Sequence, residues 1–205
     1  MWSAADDLTP LTHRLPITTE EVVRAVRGAG VNRVEADFSG VRPSAVLVLI
    51  ADDAEGNAGV LLTRRSSSLN NHPGQISFPG GRIDPGETET QAALREANEE
   101  VGLDPSDVEV VGELDHLATV VSRSHIVPVV ARADSQIGLA PTSPEVARVL
   151  WVPLAELGRA DTFRAERWSV PWTAEERVLY FFELDDETVW GATAHVLVDL
   201  FNRLR

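Results

Sequence analysis

Glu96, Glu99 and Glu100 fall within five residues of one another, directly after Arg95 and one loop after Glu87. On a helix the three glutamates occupy an arc of about 100°. A solvated acidic face is the ordinary reading of such a cluster, but two features weigh against it. Glu96 and Glu100 are like charges four residues apart, which costs a helix about 0.3 kcal/mol. Glu99 and Glu100 also lie in the last turn, where the helix dipole disfavours negative charge. Oxygen-rich clusters of this kind suit Mg²⁺ or Mn²⁺, which relieve the repulsion and retain several waters. Such a cation would bridge to phosphate oxygens that an acidic protein otherwise repels.

The elements that must hold these residues are well punctuated. Thr88 and Gln91 have the spacing of a capping box, and Gly102 stands where a left-handed C-terminal residue belongs. Leu94, Ala97 and Val101 fall on one stripe and are the expected core face of this helix. Arg95 lies four residues before Glu99 and is placed to pair with it. Earlier, ITTEEVVRAVRGAG predicts a short helix with Thr18 or Thr19 as its cap and an end near Gly28 or Gly30. SAVLVLI and GVLLTRR flank the turn-rich ADDAEGNAG and predict a strand hairpin. VEVVGEL, HIVPVVARA and RVLYFFEL read as further strands. VPLAEL starts a short helix at Pro153, and VWGATAHVLVDLFNRLR closes the chain as an apolar-striped helix. The interleaving predicts an α/β (α+β) fold with a mixed β-sheet between helices. Residues 1–205 are read as one domain, with 1–40 an N-terminal extension that matches no motif.

The net charge is −14, from 32 acidic and 18 basic residues. That balance argues against nucleic acid as a partner. Every basic residue is an arginine, so lysine-dependent chemistry is excluded, including the GK[ST] phosphate loop and Schiff-base catalysis. With no cysteine, disulfides, thiolate metal sites and cysteine nucleophiles are excluded too. The longest aliphatic run, Ala45 to Ile50, is far short of the roughly 20 residues that span a bilayer, so no membrane is expected. No signal-peptide pattern is read in the first residues, and a cytoplasmic location is expected. A homodimer is compatible with the five tryptophans. His13, His116, His125 and His195 have no ligand spacing and read as structural or surface residues.

From Gly81 the chain reads Gly, five residues, Glu87, seven residues, Arg95-Glu96-Ala97, one residue, Glu99-Glu100, one residue, Gly102-Leu103. This resembles the Nudix box, the signature of hydrolases acting on nucleoside diphosphates linked to another moiety. At roughly one chance in 15 to 20 per fixed position, an accidental match arises on the order of once in 10⁸ to 10⁹ placements. The resemblance implies a loop–helix–loop that presents Mg²⁺ or Mn²⁺ to a pyrophosphate. Glu96 and Glu100 would then be the principal metal ligands, with Glu99 and the carbonyl of Gly80 adding others. Arg95 would orient the carboxylates and Glu87 would support it. The reaction implied is attack by an activated water on a P–O–P linkage. Glu96 or Glu99 could act as general base, as could a glutamate outside the box, for which Glu145 is the candidate; a helix-capping or solvated Glu145 is the competing reading.

The preceding segment, LLTRRSSSLNNHPGQISFPGG, resembles the signature of the coenzyme A pyrophosphatase-like subfamily. Leu61, Leu62, Thr63, Arg65, Ser66, Gly74 and Phe78 to Gly81 match it, while Asn70 stands in place of its second arginine. Arg65, Ser66, Arg64, His72, Gly74, Phe78 and Arg82 are the candidate substrate-binding residues. The implied substrate is coenzyme A or a derivative, cleaved to 3′,5′-ADP and a phosphopantetheine. Asn70 keeps open ADP-ribose, NADH or a dNTP, and a non-catalytic nucleotide-binding module is the remaining alternative.

Overall fold

A short strand, β1 (Trp2–Ala4), precedes helix α1 (Thr19–Gly28). Thr18 caps that helix: its hydroxyl accepts from the Glu21 amide, while the Glu21 carboxylate accepts from the Thr18 amide. The computed structural model describes residues 17–34, 38–69, 71–120, 122–169 and 176–205, together with the backbone of 2–4. Strands β2 (Arg42–Asp52) and β3 (Ala58–Arg65) form the expected hairpin. Its turn is closed by Asp53, whose Oδ1 accepts from the amides of Glu55 and Asn57. The chain continues through β4 (Ile76–Ser77), β5 (Gly80–Arg82) and helix α2 (Glu89–Val101). Then come β6 (Glu109–Glu113), β7 (Leu117–Thr119), β8 (Ser124–Arg132), β9 (Val146–Pro153) and the one-turn helix α3 (Leu154–Leu157). Strands β10 (Phe163–Ser169), β11 (Glu176–Glu183) and β12 (Thr188–Trp190) lead into the last helix, α4 (Gly191–Arg203).

The larger sheet runs β4-β3-β2-β8-β6, with β5 also on β2, β7 also on β8 and β9 on β3. It is mixed, because β2 and β8 are parallel while its other pairs are antiparallel. β2 is apolar on both faces because both are covered. Ala45, Leu47 and Leu49 pack with Ala92, Ala93, Ala97 and Val101 of α2. Val48 and Ile50 enter a second core with Val22 and Val26 of α1 and Leu197, Leu200 and Phe201 of α4. The sheet is thus flanked by helices on both faces, as expected. Among the described residues no helix is long and apolar enough to cross a membrane.

Two features differ from the sequence reading. A separate antiparallel sheet, β1-β10-β11-β12, packs against the α4 side, with Phe182 of β11 fully buried there. Residues 163–169, FRAERWS, alternate too many charges with too few apolar residues to read as a strand; pairing with β11 makes them one. The covered face of α2 is also rotated from the expected stripe. Ala92, Ala93, Ala97 and Val101 are buried with Glu100, while Leu94 is half-buried.

Candidate active site

Gly80 and Gly81 sit where β5 joins β2, opposite Val46 and Ala45. A Cβ on Gly80 would lie 2.6 Å from the Val46 Cα, and its φ of +154° suits glycine alone. A Cβ on Gly81 would meet a different obstacle, the Glu96 carboxylate. The two glycines therefore let a strand close onto β2 and a carboxylate close onto the strand. Between β5 and α2 the chain turns on Glu87, whose Oε2 accepts from the Asp84 amide at 3.0 Å. The capping box of Thr88 and Gln91 then starts α2.

Arg95 ties these pieces together. Its Nε and Nη2 donate to the two oxygens of Glu87 at 2.9 and 3.1 Å, a fork-to-fork pair. Nη2 also donates to the Arg82 carbonyl at 2.9 Å. Nη1 donates to Glu96 Oε1 at 3.0 Å and reaches Glu99 Oε2 at 3.5 Å. The pairing with Arg95, helped by the Asp84 amide, holds the Glu87 carboxyl below its ordinary range. The same contacts, with Glu87 first, raise the Arg95 guanidinium above its ordinary value. One guanidinium thus ties the last carbonyl of β5 to two carboxylates and reaches a third.

Glu100 is buried at 7 % exposure, under the end of β5. The Gly80 amide donates to its Oε2 at 3.3 Å. Burial pushes the Glu100 carboxyl up to about 7, and the charges of Glu96 and Glu145 add to the effect. The Gly80 N–H and the Arg65 cation oppose it. Burial raises Glu96 as well; Arg95 opposes that shift, while Glu99 and Glu145 reinforce it.

At the end of β3, Arg65 Nη2 reaches Glu145 Oε2 at 3.4 Å, and the Ser66 amide donates to the Glu145 carbonyl at 2.7 Å. Glu145 caps no helix, and its solvated carboxylate pairs with Arg65. It lies just before β9, near enough for its charge to act on Glu96 and Glu100 of α2.

Residues 41–175 match the family model described as the NUDIX domain. The chain belongs to the Nudix hydrolase family. It is 34% identical to Nudix hydrolase 22, chloroplastic, from Arabidopsis thaliana over 77% of this chain and 53% of that one. It is 37% identical to an uncharacterized Nudix hydrolase NudL from Escherichia coli over 78% of this chain and 81% of the relative. The chain thus spans about half the length of the plant relative. A solved MutT/nudix family protein from Enterococcus faecalis covers 93% of this chain, and 75% of that one is covered, at TM-score 0.55 and 18% identity; it supports the fold. Nudix hydrolases are pyrophosphatases acting on diphosphate bonds and generally use divalent metals.

The residues of this Nudix chain fit such a cation in donor chemistry. Glu96, Glu99 and Glu100 supply hard carboxylate oxygens, and two of them are pushed toward protonation by burial and neighbouring negative charge. Among the described residues, no three acidic or imidazole groups are drawn together into a finished cage.

Several candidates stand elsewhere in the Nudix fold. Arg64 neighbours Arg65 on a strand and so points to the opposite face. There it pairs with Glu187 at 3.2 Å, remote from the glutamates of α2. Phe78 is 4% exposed and packs in the core with α1 and α4. Arg82 is opposite Ser44 while Gly81 is opposite Ala45; alternation turns its side chain away from Glu96, and its carbonyl serves Arg95 instead. His72 and Gly74 shape the loop after β3, both at positive φ, with the Gln75 amide donating to the His72 carbonyl. Gly80 was expected to offer a carbonyl; the contact seen is its amide on Glu100. His116 bonds to Glu113 at 3.2 Å and stacks edge-on with His125, and His195 lies on α4 beside Tyr180. Asn70 and His13 lie outside the described residues. One contributor had no sequence signal: Thr142 bonds to the end of α2 across 43 residues of sequence.

Proposed function

We propose that this chain is an Mg²⁺- or Mn²⁺-dependent pyrophosphatase that hydrolyses coenzyme A or its derivatives to 3′,5′-ADP and (acyl-)phosphopantetheine. The observation that carries the reading is the convergence of Arg65 and Glu145 on buried Glu100 and half-buried Glu96. Arg65 belongs to the segment that resembles the coenzyme A subfamily signature, and the glutamates belong to the Nudix box. In this reading Glu96, Glu100 and Glu99 hold the cation, with the Gly80 carbonyl a further donor. The chemistry that a divalent cation held there would supply is neutralisation of the diphosphate charge and a lowered pKa for the attacking water.

Arg95 keeps Glu96 aimed, and Glu87 keeps Arg95 aimed. Glu145, or Glu96 or Glu99, takes the proton of the attacking water. Arg65 moves between Glu145 and a substrate phosphate, which a guanidinium can grip bidentately. Ser66, His72 and Gly74 form the loop against which the nucleotide end rests. The chain acts as one Nudix domain over 1–205, and its cysteine-free composition is in keeping with the cytoplasm.

The test is incubation with Mg²⁺ or Mn²⁺ and, separately, coenzyme A, ADP-ribose, NADH and dNTPs, with chromatography of the products. Preferred release of 3′,5′-ADP supports the proposal. Asn70, where the subfamily signature has an arginine, favours a second reading in which the same chemistry acts on ADP-ribose, NADH or a dNTP. Cleavage of no diphosphate with either metal would sink both and leave a nucleotide-binding module.

A further inference from the structure

The C-terminal carbonyls of α2 cannot all be satisfied within the helix. The Gly102 amide donates to Asn98 at 3.0 Å and the Leu103 amide turns back to Ala97 at 3.5 Å, an ending that the left-handed Gly102 permits. The next two carbonyls belong to Glu99 and Glu100, and one residue from a distant loop takes both. The Thr142 hydroxyl donates to the Glu99 carbonyl at 2.8 Å, and the Thr142 amide donates to the Glu100 carbonyl at 3.0 Å. The threonine methyl lies over Gly102, where a Cβ would come within 3.1 Å of it.

Thr142 stands three residues before Glu145, and its loop is anchored on both sides of it. Upstream, the Gln136 amide donates to the Asp52 carbonyl at 3.1 Å and the Trp151 indole to the Ile137 carbonyl at 3.0 Å. Ile137 and Leu139 pack against the same core as α2. Downstream, the Glu145 amide donates to the Ser143 hydroxyl at 3.2 Å, and Ser66 and Arg65 hold the Glu145 carbonyl and carboxylate. Of these contacts, those of Thr142 alone join the loop to the backbone of the helix that carries the glutamates.

We propose that Thr142 is a positioning residue: its clasp on the Glu99 and Glu100 carbonyls sets the distance between Glu145 and the carboxylates of α2. The kinetic part of this inference rests on the diphosphate-hydrolase reading above, and the metal-binding part does not. Backbone carbonyls held from outside keep the last turn from fraying, so the attached carboxylates keep their aim. The same two bonds stop the loop from lifting, so Glu145 stays opposite them.

The test uses Thr142→Val, which keeps the branched shape and the backbone amide but removes the hydroxyl donor, and Thr142→Ser, which keeps the donor. Mn²⁺ affinity is measured by calorimetry on substrate-free protein, alongside kcat, KM and Tm. Thr142→Val should weaken Mn²⁺ binding and lower kcat, each about tenfold, with KM within about twofold. Thr142→Ser should restore both. The kcat loss from Thr142→Val should also shrink in a Glu145→Gln background, because the two act through one another. Wild-type values in Thr142→Val, a Thr142→Ser variant as impaired as Thr142→Val, or full additivity with Glu145→Gln would each overturn the proposal. If Thr142→Val does not fold, Thr142→Ala, which also removes the hydroxyl, takes its place, and wild-type Mn²⁺ affinity in it would overturn the proposal. A wild-type protein inactive on every diphosphate would refute the hydrolase reading, while the Mn²⁺ titrations would still judge the clasp.

Discussion

The Glu96 carboxylate rests on the backbone of Gly81, so close that a Cβ there would lie 2.5 Å from the Glu96 Cδ. The obstacle is the end of a side chain, which can move aside at small cost. The neighbouring Gly80 faces the backbone of β2, which cannot. The two adjacent glycines should therefore fail in different ways. Gly81→Ala should fold with Tm within a few degrees of wild type yet lose at least about tenfold in kcat, as Glu96 is displaced from its bond with Arg95. Gly80→Ala should lose about 2 kcal/mol or more of stability, from backbone strain and the clash with Val46. Thermal melts beside kinetics separate the two outcomes; equal Tm losses would refute the distinction.

Arg95 grips Glu87 with two parallel bonds and reaches Arg82 and Glu96 with the rest of its fork. Lysine keeps the charge but offers a single point of attachment. Arg95→Lys should therefore cost about 1–3 kcal/mol in stability and lower kcat, with KM less affected. Urea denaturation and steady-state kinetics check this, and a fully active Arg95→Lys would show that charge alone suffices.

Glu100 carries a proton more readily than a free carboxyl, with a pKa of about 7 in place of 4.5. A folded-state pKa above the unfolded one favours the folded protein while the group is protonated. That contribution is complete below about pH 4.5 and is lost as pH rises through about 7. The metal-free protein should thus lose Tm between about pH 5 and 8, and Glu100→Gln should flatten that fall. Carboxylates lowered by pairing, such as Glu87, act in the acidic range below their ordinary values and do not obscure this window. Because a cation needs the ionised carboxylate, Mn²⁺ should raise Tm more at about pH 8 than at about pH 5.5. Scanning calorimetry with and without Mn²⁺ measures both trends, and an equal Mn²⁺ effect at the two pH values would contradict them.

Arg64 and Arg65 are sequence neighbours on opposite faces of the sheet, paired to Glu187 and Glu145 respectively. Arg64→Ala should leave kcat/KM within about threefold and cost about 1 kcal/mol, since it strips a partner from a carboxylate with little exposure. Arg65→Ala should raise KM and lower kcat/KM about tenfold or more. Loss of activity in Arg64→Ala alone would place substrate on the other face.

Features set by local chemistry were legible in the sequence. The caps of α1 and α2, the left-handed Gly102 and the hairpin turn at Asp53 depend on a few adjacent residues, and the structure has them in place. The burial of Glu100 was not legible, because helical periodicity gives the angles between side chains but not which of them the sheet will cover. Motif position did not show that Phe78 lies in the core or that Arg64 pairs with Glu187 on the face opposite Arg65. The second sheet escaped notice because β1 and β12 are three residues each and β1 pairs with a strand more than 150 positions away. Thr142 escaped for the same reason of distance: nothing within its own neighbourhood marks it as the partner of α2.

The parallel pairing of β2 with β8 has a consequence for how the protein is made. Parallel neighbours need a long crossover, and here the crossover contains β5, α2 and every glutamate of the box. The chain must emerge from the ribosome as far as Arg132 before that crossover can be closed. Once it pairs, β8 places Val127, Val129 and Ala131 in the same core as Ala93 and Ala97 of α2. The helix that carries Glu96, Glu99 and Glu100 is therefore seated by a strand that carries none of them.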